Sequence, residues 1–178
     1  SWENGSWDDQ VPDGYAQRTE AFGGKTAADH LEQVEEYGHD DVPERLVIEL
    51  GTNEARAGGW EPADADSYRT LVEAAPPRTC IVVVLPASAP SASAFDREAL
   101  GAAAASISQI AETRPRRQVA DFAAFIAEHP EMMQADGIHL VDGDVAGRAS
   151  NAARDAYRDW LWPFVTRCEG ERRRDEGS

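Results

Sequence analysis

An aspartate and a histidine stand three positions apart in the stretch ADGIHLVDG, residues 135 to 143, as Asp136 and His139. Imidazole takes up and returns a proton near neutral pH more readily than any other unperturbed side chain. A neighbouring carboxylate can fix its tautomer and its orientation. The three-residue offset puts both side chains on the same side of one tight loop, directly before a helix-like segment. Such a pair needs a group to activate and donors for the charge that develops. Asn53, in the run Gly51-Thr52-Asn53-Glu54, could offer a side-chain amide, and Gly24, in Gly23-Gly24-Lys25-Thr26, a backbone N–H, to one oxyanion. That set suits a nucleophilic serine and an acyl substrate. Each member also has a plain structural use. Paired glycines turn a chain, an asparagine after a strand caps a helix or forms an Asx turn, and a lone Asp or His can be a cap or a packing residue. The combination carries the reading.

The elements between these clusters must bring them together. RLVIEL (45–50) and CIVVVL (80–85) read as buried strands, and RQVADF (117–122) as a short one. YAQRTEAF (15–22) alternates weakly and is a further candidate strand. Thr26 is positioned to cap a helix over TAADHLEQVEEYG with Ala28, Leu31, Val34 and Tyr37 on its apolar face. ADADSYRTLVEAA (63–75) predicts a helix with Tyr68, Leu71 and Val72 on one side, and residues 95–113 a long one that includes Gly101. A short helix over AAFIAEHPEMM stops near Pro130. A last helix from Gly143 to Phe164 turns Ala146, Ala149, Ala153, Tyr157 and Leu161 inward. The alternation of strands with helices, two of the strands continuously apolar, predicts an α/β fold with a parallel sheet covered on both faces. In such a sheet reactive groups collect at the carboxyl ends of strands, where the Gly24, Asn53 and Asp136–His139 clusters are expected to lie. One domain over residues 1–168 and a polar tail over 169–178 account for the chain.

Composition narrows the partners. Hydrophobic residues make up 42% and charged residues 28% of the 178, as in globular chains rather than disordered ones. Seventeen basic against 33 acidic residues leave a formal charge of -16, which disfavours nucleic acid and anionic membranes as partners. Lys25 is the single lysine. The longest apolar run, Cys80–Leu85, is far too short to cross a bilayer, so no membrane insertion is expected. No targeting segment is seen, and cytoplasmic and secreted locations both stay open. Cys80 and Cys168 allow one disulfide, with a buried free thiol at Cys80 as the alternative. No G-x-G-x-x-G follows a strand, and no Walker A, H-E-x-x-H or paired-cysteine pattern occurs. His30, His39, His129 and His139 are scattered; His39-Asp40-Asp41 is only a weak zinc candidate. Neither a cofactor nor a resident metal is expected. With 33 acidic residues, no particular carboxylate pair points to glycoside hydrolysis.

Taken together, the three clusters resemble blocks of the SGNH, or GDSL-like, hydrolases. Gly24 within AFGGKTAADHL resembles the second-block glycine, Gly51 and Asn53 within VIELGTNEA the third block, and Asp136 and His139 within ADGIHLVDGDVAGRA the fifth. The segment DFAAFIAEHPEMMQADGIHL leading into the last block is also family-like, and the likeness covers residues 15 to 165. The resemblance implies a three-layer α/β/α sandwich around a five-stranded parallel sheet, and ester cleavage through an acyl-enzyme without a cofactor. It implies Asp136 and His139 as catalytic, and Gly24 and Asn53 as oxyanion donors. The first block, a strand running into Gly-Asp-Ser, is missing. Ser1 is the preferred remnant of the nucleophile; Ser6, in NGSWDD, and no catalytic serine at all are the alternatives. The sheet is therefore expected to lack its first central strand, as in a truncated reading frame, unless a degenerate domain has rebuilt it. A serine esterase for small neutral esters or acetylated sugars is the resulting expectation if the nucleophile is present. An O-acyltransferase or a non-catalytic binding domain is the alternative. Trp60, in GGWEP, could line the acyl or sugar pocket or simply pack.

Overall fold

Six consecutive apolar residues, Cys80–Leu85, form the middle strand of the sheet, and all but the last are buried. The computed structural model describes residues 24–36, 43–56, 59–90, 97–141 and 152–175. Within them β1 (Arg45–Ile48), β2 (Cys80–Leu85) and β3 (Arg117–Asp121) lie side by side in the order β1-β2-β3. Both pairings are parallel, with Leu46 opposite Ile81 and Val83 opposite Val119. The strand expected at 15–22 lies outside the described residues.

The two-residue period of a strand divides β2 between two cores. Ile81 and Val83 face one side, with Ile48, Tyr68, Leu71, Val72, Ile107 and Ile110. Those residues come from β1, α3 (Pro62–Ala74) and α4 (Arg97–Glu112), and α1 (Ala27–Glu36) adds Ala27 and Val34. Cys80, Val82 and Val84 face the other side, covered by α5 (Phe122–Glu128) and α6 (Ala152–Asp175). Helix, sheet and helix make the expected α/β/α layers. A strand covered on both faces has no polar side to show, which explains the unbroken apolar run.

Several elements differ from their sequence reading in ways that packing explains. The buried face of α1 is Ala27, His30 and Val34, not Ala28, which is exposed. The Thr26 cap works through Asp29, whose carboxylate accepts from the Thr26 N–H at 2.9 Å and its hydroxyl at 2.8 Å. This is close to a capping box, with the threonine hydroxyl as donor. β3 stops at Asp121 because that residue caps α5, accepting from Ala123 N at 3.0 Å. In α6, Ala153, Tyr157 and Leu161 point inward as their spacing predicts, and Val165 and Cys168 continue the stripe. Ala146 and Ala149 lie outside the described residues. The helix runs past Pro163 to Asp175, through the position where the sequence suggests a frayed tail.

Cys80 and Cys168, 88 positions apart, are joined as a disulfide with their Cα atoms 6.2 Å apart. The bridge ties the start of the middle strand to α6, and both residues are buried. Tyr157 adds a polar tie between the same helix and the end of β1, its hydroxyl donating to Glu49 Oε2 at 2.9 Å. No described helix is long and apolar enough to cross a membrane.

Candidate active site

The loop that follows α5 closes on itself before it presents the histidine. A 3-10 turn, Pro130–Met132, leads into an isolated antiparallel bridge between Met133 and Leu140. Gln134 N donates to His139 O at 2.7 Å, Val141 N to Met132 O at 2.7 Å, and the Gln134 side chain to Leu140 O at 2.8 Å. Gly137 takes φ of 70°, a left-handed value open to glycine at little cost. Its carbonyl accepts from Ala89 N at 2.7 Å, which pins the loop to the segment leaving β2.

Asp136 has two jobs in this loop. Its Oδ1 accepts from the backbone N–H groups of Ile138 at 2.9 Å and His139 at 3.1 Å, holding the turn. Its Oδ2 lies 2.6 Å from His139 Nδ1. Burial alone would raise the Asp136 carboxyl; the bonds from the His139 ring and the two backbone N–H groups outweigh it and leave the value below the ordinary 3.8. An ionised carboxylate can only accept, so the proton belongs on Nδ1. A neutral His139 then has its free lone pair on Nε2. The ring is half exposed, with 49% of its side chain open to solvent.

The second half of the site is laced together from two loops distant in sequence. Gly51, at φ 108°, turns the chain from the end of β1 into the short helix α2 (Thr52–Arg56). A Cβ at Gly51 would sit 2.8 Å from Ile107 Cδ1 and 3.2 Å from Pro86 Cγ, so crowding and the left-handed backbone both favour glycine. Asn53 Nδ2 then donates to Lys25 O at 2.8 Å. Glu54, 5% exposed, accepts from Ala27 N at 2.7 Å through Oε1 and from Gly51 N at 3.1 Å through Oε2. These bonds set the Asn53 amide beside the loop that carries Gly24. Gly24 has φ of 77°, and none of the described residues lies within 4 Å of where a Cβ would stand, so backbone conformation favours glycine there.

The two halves approach through packing. Ile138, between Asp136 and His139, packs against Ala55 of α2 and Ala99 and Leu100 of α4. Trp60 is half-buried among the residues under α3 and α4, its ring 3.7 Å from the Cβ position of Gly51. The structure thus brings Asp136 to His139 directly, and Asn53 to the Gly24 loop through Lys25. Ser1 and Ser6 lie outside the described residues, as do His39, Asp40 and Asp41. Among the described residues no three potential ligands cluster as a metal site would require. Sequence reasoning passed over Glu54 as one acid among 33. The available signal was its place directly after the Gly51-Thr52-Asn53 turn.

With this geometry in place, residues 1–143 match the GDSL-like lipase/acylhydrolase family. The chain belongs to that family. The match includes all three clusters and both N-terminal serines. A GDSL-like domain also accounts for the architecture: the chain is similar to the C-terminal catalytic domain of Streptococcus pneumoniae peptidoglycan O-acetyltransferase A, solved with a methylsulfonyl adduct. The TM-score is 0.63 at 20% identity, over 83% of this chain and 78% of that one. At that identity the likeness shows the shared GDSL-like fold. Comparison with curated protein sequences returned no match.

Proposed function

We propose that this GDSL-like domain is an O-acyltransferase that moves a small acyl group between hydroxyls through a serine acyl-enzyme. The observation that carries the reading is the 2.6 Å contact between His139 Nδ1 and Asp136 Oδ2, in the loop tied to the segment leaving β2. Ser1 is the proposed nucleophile. Its Oγ attacks the ester carbonyl while His139 Nε2 takes the proton, and the alcohol leaves with that proton. The oxyanion is held by the second N–H of the Asn53 amide and the Gly24 backbone N–H. An acceptor hydroxyl then attacks the acyl-serine, losing its proton to His139, which returns it to the departing Ser1 Oγ. Water in the same position gives hydrolysis. Likeness to a domain described as a peptidoglycan O-acetyltransferase favours a carbohydrate hydroxyl as acceptor over water. Trp60, half-buried beside Gly51, is the proposed wall for the sugar or acyl part. A small neutral ester is the donor, in keeping with the charge of -16.

The test is labelling by a fluorophosphonate followed by acetyl transfer from 4-nitrophenyl acetate, with and without a chito-oligosaccharide acceptor. A Ser1 adduct lost in His139→Ala, and an acetylated sugar formed in the presence of acceptor, are the expected results. A folded chain with no serine adduct would overturn the proposal and leave a binding domain. An adduct with release of acetate alone would make the enzyme an esterase.

A further inference from the structure

Glu54 is the one carboxylate among the described residues that is buried and bonds two backbone N–H groups from separate segments. One of those donors, Gly51, begins the turn that carries Asn53; the other, Ala27, begins α1 directly after the Gly24 loop. The bond from Asn53 to Lys25 O lies between them in the same seam. A carboxylate has two acceptor oxygens and no donor, so it can satisfy both N–H groups at once. Bonds to a charged acceptor are also stronger than neutral ones. A glutamine of the same shape would set its own N–H against one of the two donors. The requirement is therefore for a carboxylate, not merely for a polar side chain of that length.

We propose that Glu54 is a positioning residue that clamps the 24–27 loop to the 51–53 turn and so aims the Asn53 amide. The inference rests on the proposed acyl chemistry for its consequence, but the clamp itself can be read without turnover. Fixing a donor before the reaction is what makes it worth more than water. Displacement by about 1 Å costs roughly 100-fold in rate. Glu54 touches neither substrate nor the reacting atoms in this scheme; it acts through Asn53.

The experiment compares wild type, Glu54→Gln, Asn53→Ala and the double variant, each checked for folding by circular dichroism. The first readout is the side-chain amide resonance of Asn53 together with hydrogen exchange at the Gly51 and Ala27 amides. Glu54→Gln is expected to shift the Asn53 signals and to speed exchange at both backbone amides. Unchanged Asn53 signals in folded Glu54→Gln would overturn the clamp, whatever the turnover. The second readout is kinetic. Glu54→Gln is expected to lower kcat by roughly 10- to 100-fold with KM little changed, and to add little in the Asn53→Ala background. Independent, multiplying losses would overturn action through Asn53. If the resonances move while wild type shows neither labelling nor turnover, the clamp stands and the acyl chemistry fails. If Glu54→Gln does not fold, Glu54→Asp serves: too short for both oxygens to reach, it is expected to free one amide and keep the other protected. Protection of both in that variant would overturn the proposal.

Discussion

Asn53 Nδ2 donates to the carbonyl of Lys25 at 2.8 Å, across 28 positions of sequence. One of its two N–H bonds holds the side chain; in the proposed mechanism the other meets the incoming oxygen. Asn53→Ala is expected to lower kcat by about 100-fold, or about 3 kcal/mol of transition-state stabilisation, with a smaller change in KM. Steady-state kinetics on 4-nitrophenyl acetate measures it; a kcat within about 2-fold of wild type would remove Asn53 from the oxyanion site.

Asp136 sets a pH dependence with a defined sign. Its folded value is depressed below the ordinary 3.8, net of an opposing effect of burial, by the His139 ring and two backbone N–H groups. Its stabilisation is therefore complete above 3.8 and is lost as pH falls through the folded value. Asp136→Asn keeps an oxygen for the two backbone bonds but faces Nδ1 with an amide donor. Urea midpoints of wild type and Asp136→Asn should differ at neutral pH and converge in strong acid. A constant gap down to the lowest pH would argue against the ionised contact.

The Cys80–Cys168 bridge closes 88 positions of chain. Its removal in Cys80→Ala/Cys168→Ala should cost about 4 kcal/mol, chiefly by freeing the unfolded chain. Because both cysteines are buried, native protein should resist alkylation after mild reductant until denaturant is added. Equal urea stability of the double variant and wild type would show that the bridge adds nothing.

Gly51 and Gly24 both have positive φ but differ in their surroundings. A Cβ at Gly51 meets Ile107 Cδ1 at 2.8 Å and Pro86 Cγ at 3.2 Å, whereas at Gly24 none of the described residues lies within 4 Å. Gly24→Ala is expected to cost about 1 kcal/mol from backbone conformation alone. Gly51→Ala should cost about 1–3 kcal/mol more, from overpacking. Urea unfolding of the two variants decides it, and equal costs would contradict the crowding at Gly51.

Local pattern carried much of this protein in plain view. The run Cys80–Leu85, the Tyr68, Leu71 and Val72 face of α3 and the Ala153, Tyr157 and Leu161 stripe of α6 are periodicities of apolar residues, and burial follows them directly. Asp136 and His139 were legible for the same reason, since a three-residue offset in a tight loop leaves two side chains little choice but to meet. The buried face of α1 was harder. Alanines at 27 and 28 look alike in sequence, and the packing of α1 against its neighbours chose the first. Glu54 and the cysteine pair were decided by tertiary structure alone. Their partners lie 27 and 88 positions away, and no local periodicity selects one carboxylate from 33 or one sulfur pairing over a free thiol. Side-chain period determines which face an element buries, but only closure of the chain determines which distant atoms that face meets.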